Sequence, residues 1–145
     1  MINEWLWADS AGDNGLEAQA QVVKVMEGLV ASDHRLVIIE GSPFEQKAWA
    51  LCKSKDRVVV GLAKTWALSI RQNLDRCILI RPNAATPLPD ELAQSINPDD
   101  HYLVQAQLSV AGVVLVTTDL PLRQRVLEVG LACRSRDEFL ADLGL

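Results

Sequence analysis

The chain has 145 residues, a formal net charge of -5 and a hydrophobic fraction of 49%, which suits one domain with its own core and excludes a disordered chain. An acidic surface collects polyanions poorly, so nucleic-acid binding would need a local basic patch or a metal bridge. No apolar run approaches the roughly 18 residues of a membrane span, and Met1 to Trp5 lack the basic stretch of a secretory signal, so a cytoplasmic protein with no membrane partner is expected.

From Leu16 to Ser32 apolar residues recur every three or four positions (Leu16, Ala20, Val23, Met26, Val30) with charged residues between them, the pattern of an amphipathic helix. Arg35 to Glu40 is a β-branched run that reads as a strand, closed by Gly41, Ser42 and Pro43. Serine ahead of proline suits an N-cap and first helical position, so a helix is expected from Phe44 to Cys52. The apolar stretch Val58 to Leu74 reads as a helix from about Gly61, its Val58, Val59, Val60 start having the composition of a short strand.

Cys77 to Arg81 reads as a second buried strand, and Pro82 to Pro98 as the longest connection, with a helical turn at Pro89 to Gln94. Asp99, Asp100 and His101 open a helix whose stripe is Leu103, Ala106 and Val110 and which Gly112 ends. Val113 to Val116 follows as a strand, then Thr117, Thr118 and Asp119, then a helix from Leu122 to Val129. Leu131 to Cys133 is a short last strand, and Ser135 with Glu138 forms a capping box for a closing helix from Arg136 to Leu143. Short apolar strands alternating with helices predict an α/β class: one domain over residues 1–145, a three-layer α/β/α sandwich around a central parallel sheet.

In open parallel sheets ligands bind beyond the carboxyl ends of the strands. Glu40 and Glu45 follow the first strand there, and Thr117, Thr118 and Asp119 follow the third, while Asp99 and Asp100 open the helix that leads into it. Carboxylates gathered without cationic partners repel one another unless a cation relieves them, and all-oxygen donors suit Mg²⁺ or Mn²⁺. The matching reaction is phosphodiester hydrolysis. The simpler role for the same aspartates is helix capping. Dinucleotide, P-loop and nucleophile-elbow motifs are absent. The three cysteines, Cys52, Cys77 and Cys133, are odd in number and far apart, so free thiols are expected. His34 and His101 read as solvated, the four tryptophans as core packing, and the basic stretch containing Lys47, Lys53, Arg57, Arg71, Arg76 and Arg81 as a solvated face.

The segment from Asn97 to Asp119, with an aspartate opening a helix and a strand running into Thr117, Thr118, Asp119, resembles the identifying segment of PIN domains. The closing helix with Glu138, Phe139 and Leu140 is similar to that family's tail, and Ile38 to Glu45 to its second strand and following helix. The resemblance implies a metal-dependent ribonuclease in which Asp100, Asp119 and Glu45 are the catalytic acids and ligands of Mg²⁺ or Mn²⁺, with Thr117 and Asp99 supporting them. At the start the sequence departs from the family's aspartate-bearing strand: Met1 and Ile2 lead into Asn3 and Glu4, which are the candidates for the remaining ligand position. The same resemblance implies RNA as substrate, an antitoxin-like protein partner and a homodimer. The alternative is a PIN-like module that has lost catalysis and binds RNA or a protein through the same face.

Overall fold

The computed structural model describes residues 15–145. The chain is mixed α/β, and the expectations for Asn3 and Glu4 lie outside the described residues. Helix α1 (Gly15–Ala31) buries Val22, Val25, Met26 and Leu29, a stripe at helical spacing. Strand β1 (Leu36–Ile39) follows, and Gly41, at φ +72°, turns the chain into α2 (Pro43–Leu51), with proline in the first turn. A side chain would be strained at that φ, so glycine fits the sharp exit from β1.

Helix α3 (Arg57–Trp66) begins earlier than its sequence suggests, because the Asp56 carboxylate accepts the amides of Val58 and Val59 at 2.9 and 3.3 Å. A local cap outweighs the β preference of three consecutive valines. The helix runs on through a π-helical turn, Ala67–Arg71, which ends at Arg71. Strand β2 (Cys77–Ile80) pairs in parallel with β1, from Leu36 opposite Cys77 to Ile39 opposite Ile80.

After the short α4 (Asp90–Ser95), α5 (His101–Ser109) leads to β3 (Leu115–Val116), α6 (Leu120–Glu128), β4 (Cys133–Arg134) and α7 (Arg136–Asp142). Strand β3 is only two residues long, against the four expected, since its ladder with β4 covers Leu115 and Val116 alone. The expected capping box is present: the Ser135 hydroxyl accepts the Glu138 amide while the Glu138 carboxylate accepts the Ser135 amide. The three cysteines are unbridged, and no helix among the described residues is long and apolar enough to cross a membrane.

The described strands thus form two separate parallel pairs, β1 with β2 and β3 with β4. Strand β1 is covered on both sides. Neighbouring residues of a strand point to opposite faces; Ile38 packs with Val25, Phe44, Trp66 and Phe139, whereas Ile39 packs with Ile80 and Ala106 of α5. A third cluster, centred on Val104 and Val126, holds α4, α5 and α6 to β3.

Candidate functional site

Beyond the carboxyl end of β1, the turn at Gly41 and the first turn of α2 bring Glu45 back toward the strand. Its side chain is buried, at 3% exposure, and three donors converge on the carboxylate. The Gly41 amide donates to Oε2 at 2.7 Å, Trp49 Nε1 donates to Oε1 at 3.2 Å, and Arg71 Nε donates to Oε1 at 2.5 Å. Burial alone pushes the Glu45 carboxyl up, but the Gly41 amide, the Arg71 guanidinium and the Trp49 indole outweigh it and hold the group below its ordinary value. The acid is therefore ionised and neutralised within the chain, by a residue 26 positions away.

At the end of β3, Thr117 is buried, at 2% exposure, and its hydroxyl accepts the Asp119 amide at 3.0 Å. Asp119 itself is exposed and caps α6, accepting the Leu122 amide at 2.8 Å through Oδ1. The capping role of Asp119 is thus present, as the simpler reading of the sequence has it.

Asp99 and Asp100 belong to a 3-10 turn, Pro98–Asp100, that Asn97 caps by accepting the Asp99 amide at 3.0 Å. Asp99 is exposed and Asp100 half-buried. Asp100 occupies the N-cap position of α5 without a side-chain cap bond. His101 is not the solvated group its sequence suggests: Nε2 lies 2.9 Å from the Ile96 carbonyl and 3.1 Å from that of Ala93, which ties the end of α4 to the start of α5. His34 is exposed and stands beside the Phe139 ring, centroids 6.4 Å apart.

Among the described residues no group of three or more His, Cys, Asp and Glu side chains is arranged to hold a metal ion. Two of the acids have separate partners: a guanidinium for Glu45 and a helix amide for Asp119. Part of the basic stretch likewise has structural duties. Arg71 serves Glu45, and Arg76 donates to the Ser32 carbonyl, joining the end of α1 to the approach to β2.

The sequence places Arg71 on a solvated face, where the structure pairs it with the buried Glu45, and it does not single out Gln107. Gln107 is buried within α5 and its Nε2 donates to the carbonyls of Val113 and Ala132, at 3.2 and 2.6 Å, fastening the approaches to both β3 and β4. A polar residue on the α5 stripe, in line with Leu103 and Val110, was the available signal. For Arg71 there was none, since ion pairing over 26 residues leaves no local pattern. Between β1 and β3 lies a cavity of about 480 Å³, floored by α5 through Tyr102, Ala106 and Gln107 and lined across by Phe44 and Phe139.

Comparison of the chain with family models, with curated proteins and with solved structures finds no match.

Proposed function

We propose that the chain is a PIN-type α/β/α domain, its two parallel strand pairs belonging to one central sheet, and that it cleaves RNA phosphodiester bonds with Mg²⁺ or Mn²⁺. The observation that carries this reading is the turn after β3. A buried Thr117 fastens the Asp119 backbone and leaves the Asp119 side chain exposed beyond the strand's carboxyl end, the position from which open parallel sheets work. Asp100, opening the helix that feeds β3, is the second acid of this reading, with Asp99 beside it.

Carboxylate and hydroxyl oxygens are the donors a hard divalent cation takes; the gathering of these acids around one is what the reading adds, since no group of three is arranged for it among the described residues. Asp119 and Asp100 would hold it, with Thr117 fixing the direction of Asp119. When bound, such a cation lowers the pKa of a water to make a nucleophile and offsets charge on the phosphate. Glu45 fits the set only after exchanging Arg71 for the metal, because both of its oxygens already accept hydrogen bonds.

That exchange is what favours a second reading, a module without catalysis that binds RNA or a protein, whether an antitoxin-like partner or a second copy. The two separate in a cleavage assay. Purified protein with Mn²⁺ is expected to cut single-stranded RNA, and Asp119→Asn to lose at least about tenfold of that activity, the lower range for a disturbed metal site. Asparagine caps helices about as well as aspartate, so the substitution removes charge and spares the fold. Equal cleavage by wild type and variant would end the enzymatic reading.

A further inference from the structure

Helices α2 and α3 pack on each other, and their charge is opposite in sign to that of the chain. Between Pro43 and Arg71, from the start of α2 to the end of the π-helical turn, stand six Lys and Arg residues against two acids, a net of +4, where the whole chain carries -5. Of the two acids, Glu45 is neutralised by Arg71, and Asp56 is committed to the amides that open α3. Lys47, Lys53, Lys55, Arg57 and Lys64 are exposed, and none of them has an ion-pair partner among the described residues. The arginines toward the end of the chain differ: Arg123, Arg125, Arg134 and Arg136 each stand against a carboxylate. Unpaired like charges on one small surface repel one another, and a bound polyanion relieves that repulsion.

An aromatic ring stands among these cations. Trp49 is 38% exposed, yet it is held in place: Nε1 donates to Glu45 at 3.2 Å, and the ring meets Trp66 of α3 at 74°. Lys53 follows Trp49 by four residues, and its amide donates to the Ala50 carbonyl at 3.0 Å, so the helical turn continues and both side chains fall on one side of α2. Within α3, Arg57 and Lys64 are seven residues apart and share one face. A held, part-exposed ring flanked by cations is the arrangement on which proteins stack the bases of a single strand while the cations hold its phosphates.

We infer that the α2–α3 surface docks single-stranded RNA, with Trp49 stacking on a base and Lys53, Lys55, Arg57 and Lys64 holding the phosphates beside it. The inference rests on the reading of RNA as the chain's ligand, and it holds with or without cleavage. It supplies the local basic patch that a chain of net charge -5 needs to hold a polyanion. Helix α2 opens at the Gly41 turn, at the carboxyl end of β1, so the surface adjoins the end from which open parallel sheets work. A duplex keeps its bases stacked inside and offers Trp49 nothing. An acidic peptide matches the charge and not the ring.

Fluorescence anisotropy of a labelled oligo(U) of about 12 nucleotides, titrated with the full chain in EDTA from about 50 to 200 mM salt, tests the inference without cleavage. The wild type is expected to bind, more weakly as salt rises. Exchanging Lys53, Lys55 and Lys64 for glutamine together should lower the slope of log K against log salt by about 2, at about 0.7 per phosphate contact, and weaken binding at least about tenfold at the lowest salt. These lysines are exposed, so the exchange spares the core. Trp49→Leu should weaken binding at least about fivefold with the slope unchanged, and Trp49→Phe, which keeps a ring, should recover most of that. Arg125→Gln with Arg134→Gln, cations already paired with acids, should leave the slope as it is. Equal slopes for the wild type and the lysine variant would overturn the inference and leave RNA to another surface. So would displacement of oligo(U) by polyglutamate as readily as by unlabelled oligo(U), which would make an acidic peptide the occupant, and so would tighter binding of duplex RNA. No binding by the wild type up to about 100 μM at the lowest salt would end the inference together with the reading of RNA as ligand.

Discussion

Replacing Arg71 by alanine is expected to destabilise the fold by about 3–5 kcal/mol, the cost of leaving one charge of a buried pair without its partner. The carboxylate left behind is 4% exposed at the side chain and would keep only the Gly41 amide and the Trp49 indole. The loss belongs to the unpaired charge rather than to the bond, so Glu45→Gln in the same chain should recover a large part of it. The pH dependence has a definite sign. In the wild type the folded Glu45 carboxyl sits below its ordinary value, so its contribution is fully present above that ordinary value and is lost as pH falls through the folded one. Without Arg71 the carboxyl loses one of the groups that hold it down, so protonation costs the variant less than the wild type. Urea titrations of both chains at neutral pH and below about pH 4 should therefore show the stability gap narrowing in acid. A gap that stays constant with pH would mean that Arg71 contributes through packing alone.

Trp66→Ala is expected to cost a similar amount, about 3–5 kcal/mol. Trp66 is 1% exposed and stands between two aromatic rings, its centroid 5.9 Å from Phe44 at 70° and 5.7 Å from Trp49 at 74°. Edge-to-face pairs of this kind add about 0.5–1.5 kcal/mol beyond the area they bury. The three rings also connect the ion pair to the core, because the Trp49 indole donates to Glu45. Trp66→Phe keeps a ring in the gap and should lose less than half as much. The check is the urea midpoint: it should move down with the slope unchanged, as a native-state cavity requires. A variant that loses slope as well would point to a loosened native state.

The parts of the fold that could be read in the sequence are those written locally. The Ser135 and Glu138 capping box, the turn at Gly41 and the apolar runs of β1 and β2 each depend on residues within about one turn of one another, and each stands where the sequence puts it. Helix α1 stands there too, but its buried stripe is Val22, Val25, Met26 and Leu29; of the expected stripe Met26 is buried while Ala20, Val23 and Val30 are exposed. The start of α3 was hidden because Val58, Val59 and Val60 have strand composition, while the aspartate that decides the matter is one residue among several polar ones. The candidate site was legible as a list of acids and not as an arrangement. Thr117 and Asp119 hold each other over two residues, so their turn is visible in the sequence. Whether Glu45 meets a metal or an arginine depends on a contact 26 residues distant, and periodicity carries no information about that. The cavity between β1 and β3 was equally invisible, since residues far apart in the sequence, on β1, α5 and β3, line it together.

The claim on which the function rests is that Asp119 and its companion acids gather a divalent cation at the end of β3. Calorimetric titration of the purified chain with Mn²⁺ addresses it without reference to any substrate. A saturable heat with about one site per chain, abolished in Asp119→Asn, is the expected result. No saturable heat in the wild type, or an identical titration in the variant, would contradict it and leave Asp119 as the cap of α6.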